Sequence, residues 1–88
     1  MPNISEFYGI KIYMYWNDYE QHHTPHIHAN YAEFQAVMDF NGNILAGYLP
    51  LTAKKLVKKW ILKNQIMLVC SWKLAFNNLP FPKIEGLK

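Results

Sequence analysis

The hydrophobic pattern of this 88-residue chain changes its period at Pro50. Before Pro50, apolar and polar residues alternate, which is typical of half-buried β-strands. After Pro50, apolar residues recur every three to four positions, which is typical of helices. The chain therefore has a sheet-forming half followed by a helical half. Because a chain of this length can bury one modest core and not two, we expect a single domain over residues 1–88.

Four strands are predicted in the first half, at residues 10–16, 26–31, 34–40 and about 44–49. Asn41-Gly42 is a strong hairpin signal before the last of them. A tight connection near Ala32-Glu33 would form another hairpin, in which His26 pairs with Asp39, His28 with Val37 and Asn30 with Gln35. This register places apolar side chains on one face and polar ones on the other, whereas a one-residue slip would mix them.

Two helices are predicted in the second half. Thr52 is the expected N-cap of the first, whose apolar stripe consists of Leu56, Val57, Trp60 and Ile61. After a break at Asn64-Gln65, the second helix is expected to bury Leu68, Val69, Trp72, Ala75 and Phe76 and to end at Asn77-Asn78. The predicted fold is α+β, a two-layer sandwich in which a three- to four-stranded antiparallel sheet is followed by two helices packed on one face.

The second face of this sheet is a candidate binding surface. A chain this short cannot cover both faces with its own residues, so we expect the second face to be open to water or to a partner. The side chains assigned to it are Lys11, Tyr13, Tyr15, His26, His28 and Asp39. A homodimer that pairs edge strands or open faces would be compatible with such a surface.

All four histidines of the chain lie within seven positions, at His22, His23, His26 and His28. Histidine titrates near neutral pH and is the commonest metal ligand in proteins. Residues 26 and 28 of one strand point the same way, His23 could supply a third ligand, and Asp39 could be a fourth or could orient an imidazole. Such a set of ligands suits zinc, iron or manganese.

Three other interpretations of the histidines stay open at this point. A pair of histidines beside a lysine-rich helix could cleave RNA without a metal, one accepting a proton and the other donating it. The same histidines with Tyr13 and Tyr15 could form a non-catalytic surface that stacks single-stranded bases or contacts a protein. They could also serve the fold alone, by bonding to loop backbone. The residues therefore leave open whether the chain is an enzyme.

The basic residues are all lysines, nine in number, and the formal net charge is +3. Five of them fall in one ten-residue stretch of the first predicted helix: Lys54, Lys55, Lys58, Lys59 and Lys63. They form either an anion-binding stripe, with Lys55 and Lys59 as candidate contacts, or an ordinary solvated helix face. Arginine, whose planar fork favours specific phosphate and guanine contacts, is absent from the sequence.

The sequence also bears on the cellular compartment. No signal peptide is evident at the N-terminus, and the longest apolar run is far short of the roughly 18 residues of a membrane span. The single cysteine, Cys70, lies among Met67, Leu68, Val69 and Trp72 and is interpreted as a buried apolar residue. These features favour a cytoplasmic protein without a membrane partner.

Short motifs along nearly the whole chain resemble one known family. They include Met1-Pro2-x-Ile4-Ser5-x-Phe7-Tyr8-Gly9-Ile10, His23-Thr24-Pro25-His26-Ile27-His28, Gly47-x-Leu49-Pro50, Trp72-x-Leu74-Ala75 and Lys83-Ile84-Glu85-x-Leu87. In these the chain is similar to small bacterial proteins catalogued as domain of unknown function 4160. Their usual central motif is His-x-Pro-Pro-His-Phe-His, in which Thr24 and Ile27 replace a proline and the phenylalanine. The last two histidines of that motif correspond to His26 and His28.

The resemblance implies a fold and a histidine motif, but no established activity. It also implies a partner, since such proteins resemble members of toxin–antitoxin-like or regulatory gene pairs. We therefore expect a non-enzymatic binding module that engages a protein from a neighbouring gene or a nucleic acid. Its expected binding residues are Tyr13, Tyr15, His23, His26, His28, Lys55 and Lys59. The alternative is a divalent-metal-binding protein, such as a nuclease, with His23, His26, His28 and Asp39 as ligands.

Overall fold

The computed structural model of the chain describes residues 3–14, 24–77 and 79–87. Within them, five strands precede two helices: β1 (Asn3–Phe7), β2 (Ile10–Tyr13), β3 (His26–Tyr31), β4 (Phe34–Asp39), β5 (Ile44–Gly47), α1 (Leu51–Lys63) and α2 (Gln65–Phe76). The strands form one sheet in the order β1-β2-β3-β4-β5, and neighbouring strands are antiparallel. The predicted α+β fold, with a sheet followed by two helices, is confirmed.

The hairpin between β3 and β4 has the register predicted from the sequence. His26 pairs with Asp39, and His28 pairs with Val37. Between them Ile27 pairs with Met38, and both of these side chains are fully buried. The connection is the expected tight turn, in which Ala32 has a positive φ of 51°. Because a slip by one residue would turn Ile27 and Met38 toward the other face, burial of this pair specifies the register.

The sheet has one strand more than the predicted three or four, because β1 was missed. Apolar alternation fails there, since a bulge between Asn3 and Ser5 shifts the pairing with β2. The Asn3 side-chain amide donates to the backbone oxygens of Ser5 and Ile12, at 3.2 and 3.3 Å. A bulge puts two residues of one strand opposite one residue of its partner, so the period of two is lost. The prediction of three or four strands is therefore wrong.

A single buried cluster joins the sheet to both helices. On the sheet it includes Ile4, Phe7, Ile10, Ile12, Ile27, Ala29, Ala36 and Met38, with Met14 just after β2, and on the helices Ala53, Val57, Trp60, Ile61, Leu68, Trp72 and Ala75. The indole of Trp60 stacks on Phe7 of β1 with ring centroids 5.7 Å apart. Trp60 and Trp72 are both buried, as expected for core anchors. The placement of both helices on one face of the sheet stays a prediction.

The two helices differ from the prediction in their start and in some of their buried residues. Helix α1 begins at Leu51 after Pro50, so Thr52 lies within the first turn and is not the N-cap. The break at Asn64 is confirmed, since Asn64 ends α1 and precedes α2. On α2, Val69, Cys70 and Phe76 are exposed, so their predicted burial is wrong. No helix in the described ranges is both long and apolar enough to cross a membrane.

The C-terminal segment packs along the edge of β1 without forming a strand of its own. The backbone N–H of Ile84 donates to the carbonyl oxygen of Ile4 at 2.7 Å. The indole Nε1 of Trp60 donates to the carbonyl oxygen of Glu85 at 2.9 Å. At Gly86 an added Cβ would lie only 2.8 Å from the carbonyl oxygen of Glu6. The docked tail therefore covers part of an edge that would otherwise be open to further strand pairing.

Candidate functional site

His26, the central residue of the histidine motif, is fully buried, with 0% of its surface exposed. Its Nδ1 lies 2.7 Å from the carbonyl oxygen of Thr24. Its ring is tilted against the indole of Trp72 on α2, with centroids 5.2 Å apart. The expectation that His26 lies on an open face is therefore wrong. At the first residue of β3, the side chain is within reach of α2, which the strand pattern alone did not indicate.

The other described residues of the expected face differ in their exposure. Tyr13 and His28 are opposite each other on β2 and β3, and both are half-buried. The imidazoles of His26 and His28 have centroids 5.3 Å apart. Lys11 is exposed. Tyr15 and His23 lie outside the described residues, so their predicted roles are neither supported nor contradicted.

Asp39, the proposed fourth metal ligand, makes contacts within its own turn. Its Oδ1 accepts hydrogen bonds from the backbone N–H groups of Asn41 and Asn43, both at 2.9 Å. Its Oδ2 accepts one from the side-chain amide of Asn43 at 3.3 Å. The carboxylate thus caps the β4–β5 turn. Among residues 3–14, 24–77 and 79–87, no group of three or more His, Cys, Asp or Glu side chains could hold a metal ion.

Helix α1 carries five exposed lysines, with the exposed Leu51 and Leu62 between them. We call these lysines the α1 lysine face; its members are Lys54, Lys55, Lys58, Lys59 and Lys63. Between Asp39 and Glu85 the sequence has seven lysines and no carboxylate side chain. No acidic residue lies in the first turn of α1. Both helices therefore carry positive charge and no negative charge, while the carboxylates belong to the rest of the chain. One of these, Glu85, lines a surface groove together with Lys63.

Tyr8 lies beside one end of the α1 lysine face and was missed by the sequence analysis. With Leu56, Lys59, Lys63 and Leu87 it lines a surface groove of about 370 Å³. Its side chain is 59% exposed. Its backbone is in the left-handed region, with a φ of 51°, which is uncommon for a residue other than glycine. Tyr8-Gly9 between two short apolar segments was the available signal for this turn, but it says nothing about the lysines 51 and 55 positions further along.

The fold and this surface define a small α+β protein with a buried histidine at the start of β3 and a lysine-rich helix. The family model described as a domain of unknown function (DUF4160) matches residues 9–73, which is well over half of the chain. The chain therefore belongs to this family, and the resemblance noted in the sequence is confirmed. No curated protein and no solved structure matches the chain.

Proposed function

We propose that this protein is a non-enzymatic binding module that holds a strand of nucleic acid on the α1 lysine face. The observation that carries the proposal is the group of five exposed lysines on one 13-residue helix, with no carboxylate on either helix. In a toxin–antitoxin-like or regulatory gene pair, such a module would act by occupying RNA or DNA. A protein partner from a neighbouring gene is the rival that the experiment below must separate.

The spacing of the lysines suits a phosphate backbone. At 1.5 Å of rise per residue, Lys54 and Lys63 are about 14 Å apart along the helix axis, enough to follow several phosphates. The methylene stem of Lys58 packs over Gly42 in the β4–β5 turn, which holds this side chain against the surface. Since lysine makes point-charge contacts and not bidentate ones, we expect binding that depends little on base sequence.

Tyr8 favours a single strand over a duplex. Its exposed ring lies in the same groove as Lys59 and Lys63, and aromatic side chains beside a basic track are where unpaired bases stack. A duplex offers its phosphates but keeps its bases stacked on one another. The proposal takes the two helices to lie on one face of the sheet, with the lysines directed outward.

The test is a binding titration with fluorescently labelled single-stranded and double-stranded oligonucleotides of equal length. The variant Lys55→Gln/Lys59→Gln removes two charges from the α1 lysine face. The matched control, Lys11→Gln/Lys83→Gln, removes two charges from exposed residues of β2 and the C-terminal tail. The contribution of base stacking is tested by comparing Tyr8→Ala with Tyr48→Ala. Tyr48 is similarly exposed, but its ring meets Phe34 edge-on and it does not line the groove that contains Lys59 and Lys63.

We expect the Lys55/Lys59 variant to bind single strands about tenfold more weakly at low salt, and its control to bind like the wild type. Tyr8→Ala should weaken binding about fivefold or more, with Tyr48→Ala unchanged. Equal losses in both lysine pairs would mean diffuse attraction to net charge and would overturn the proposed site. Absence of binding to any oligonucleotide, with capture of the neighbouring gene's product through the same lysines, would establish the protein partner instead.

A divalent-metal site is the second candidate, and one observation favours it. Because a carbonyl oxygen can only accept, the short contact with Thr24 means that Nδ1 of His26 carries the proton. In the neutral imidazole Nε2 is then the nitrogen with a lone pair, as in metal-bound histidines whose other nitrogen donates to a carbonyl. The neighbouring His28 ring and the motif residue His23 would complete the set of ligands.

Elemental analysis of untagged protein tests this candidate. The metal hypothesis predicts about one equivalent of zinc, iron or manganese per chain, lost in His28→Gln while the circular dichroism spectrum is kept. His28 is chosen because it is half-buried, so its replacement disturbs the core less than replacement of His26. Metal well below one equivalent, or metal that His28→Gln retains, would eliminate the site.

A further inference from the structure

Helix α2 is apolar on its outside as well as on its inside. Nine of its twelve residues are apolar, and Lys73 is its one charged residue. The inner side buries Leu68, Ser71, Trp72 and Ala75. The outer side exposes Ile66, Met67, Val69 and Cys70; we call these four residues the α2 outer face. A helix that is apolar all round is normally covered on all sides.

The α2 outer face is large for a protein surface that meets only water. Ile66 is 81% exposed, Met67 47% and Val69 42%. Together with nearby Phe76, which is 49% exposed, the outer face exposes on the order of 400 Å² of apolar area. Patches of roughly this size on monomers are often functional. With the rim residues Gln65, Asn41 and Lys73, the footprint approaches the roughly 800 Å² per partner of a standard interface.

We propose that a second copy of this chain covers the α2 outer face, so that the protein is a two-fold symmetric dimer. Such an interface must be self-complementary, because both copies present the same surface. The α2 outer face provides a projection and a recess together: Ile66 stands at the rim of a groove of about 420 Å³ lined by Phe40, Val69 and Cys70. Its lack of acidic residues and its near lack of charge are typical of homodimer interfaces.

The position of Lys73 fits this arrangement. If the two-fold axis passes between Val69 and Cys70, the helices cross antiparallel and position 66 of one copy faces position 73 of the other. The alkyl stem of Lys73 then covers Ile66 of the second copy, while its ammonium group reaches water. The two Lys73 residues are about 10 Å apart along the axis, so like charges do not meet.

Sedimentation and oxidation of Cys70 test the dimer. We expect the wild type to sediment at twice its monomer mass of 10.4 kDa at micromolar concentration. Ile66→Lys should raise the dissociation constant of the dimer at least tenfold. It should leave the melting temperature of the monomer unchanged, because this side chain is already exposed. Near the proposed axis the Cys70 thiols of the two copies approach each other, so mild oxidation should give a disulfide-linked dimer.

The control for cross-linking is Cys70→Ser/Leu45→Cys, which moves the only thiol to an exposed position of β5. This protein should not cross-link at the same concentration. If Cys70→Ser/Leu45→Cys cross-links and the wild type does not, the interface lies at the sheet edge and the proposal is overturned. A wild type that sediments as a monomer at 100 μM would overturn it as well. A dimer that survives Ile66→Lys would also contradict it.

Discussion

The imidazole of His26 lies against the indole of Trp72, with ring centroids 5.2 Å apart. This contact joins the histidine motif at the start of β3 to the inner side of α2. Trp72 also meets Phe40 edge-on, with centroids 6.2 Å apart. The motif residue is therefore part of the packing between the sheet and α2, which gives His26 a structural role whatever the rest of the motif binds.

Replacement of His26 is expected to destabilise the fold strongly. His26→Ala removes a fully buried ring and its bond to the Thr24 carbonyl, so it should lower the free energy of unfolding by about 2–4 kcal/mol. His26→Phe keeps a ring against Trp72 but not the hydrogen bond, and should lose about 1–2 kcal/mol. Urea denaturation monitored by tryptophan fluorescence measures both. A fully stable His26→Ala would show that this packing contributes nothing.

Removal of the Ser5 hydroxyl should not destabilise the fold. It is only 4% exposed, and its Oγ has no hydrogen-bond partner among the residues that the structure describes. A buried hydroxyl without a partner loses its bonds to water and gains none. Ser5→Ala should therefore leave the free energy of unfolding unchanged or raise it by up to about 1 kcal/mol. A loss of more than about 1 kcal/mol in thermal denaturation would mean that the hydroxyl is bonded in solution.

Variants of Asp39 test whether its carboxylate caps the β4–β5 turn or binds a metal ion. Asp39→Ala removes the acceptor for the N–H groups of Asn41 and Asn43 and should lower the free energy of unfolding by about 1–2 kcal/mol. Asp39→Asn keeps an oxygen that can accept from both, so it should lose less than half of that. Thermal melts with and without added zinc measure both effects. A zinc-dependent rise in the melting temperature of the wild type that Asp39→Asn abolishes would identify Asp39 as a ligand.

Gly47, at the end of β5, should not tolerate a side chain. Its φ is +82°, and an added Cβ would overlap the carbonyl oxygen of Gln35 on β4. Gly47→Ala should therefore cost about 3 kcal/mol in stability, from backbone strain and from displacement of β4. Gly9→Ala is the matched control, because Gly9 has a similar φ of +78° but only ordinary contacts around it. It should cost about 1 kcal/mol. Equal losses in chemical denaturation would show that strain alone acts at Gly47.

The elements predicted correctly were those with an uninterrupted local pattern. The β3–β4 register followed from the alternation of Ile27 and its neighbours, because one slip would expose the whole apolar set. Strand β1 was not predicted, because its bulge and the buried Ser5 break that alternation. The error on α2 has a related cause: with apolar residues on every side, periodicity does not tell which side faces the core.

The site was predicted less well than the fold, because a site depends on contacts between distant segments. Strand parity put His26 and His28 on one face, but the His26 ring is buried and packs against Trp72, 46 positions away in the sequence. Asp39 was placed correctly opposite His26, yet its carboxylate serves its own turn. Lys55 and Lys59 could be predicted as binding residues because lysines are so frequent in that segment of the sequence. Tyr8 lies far from them in the sequence, and only the fold brings it into one groove with Lys59.

The salt dependence of oligonucleotide binding shows how many lysines of the α1 lysine face contact phosphates. Each lysine that contacts a phosphate of a single strand contributes a slope of about −0.7 to the logarithm of the binding constant against the logarithm of salt concentration. We predict that Lys55→Gln/Lys59→Gln makes this slope shallower by about 1.4, whereas Lys11→Gln/Lys83→Gln leaves it unchanged. If the two variants have the same slope as each other, the α1 lysine face does not hold the strand and the proposed binding site is wrong.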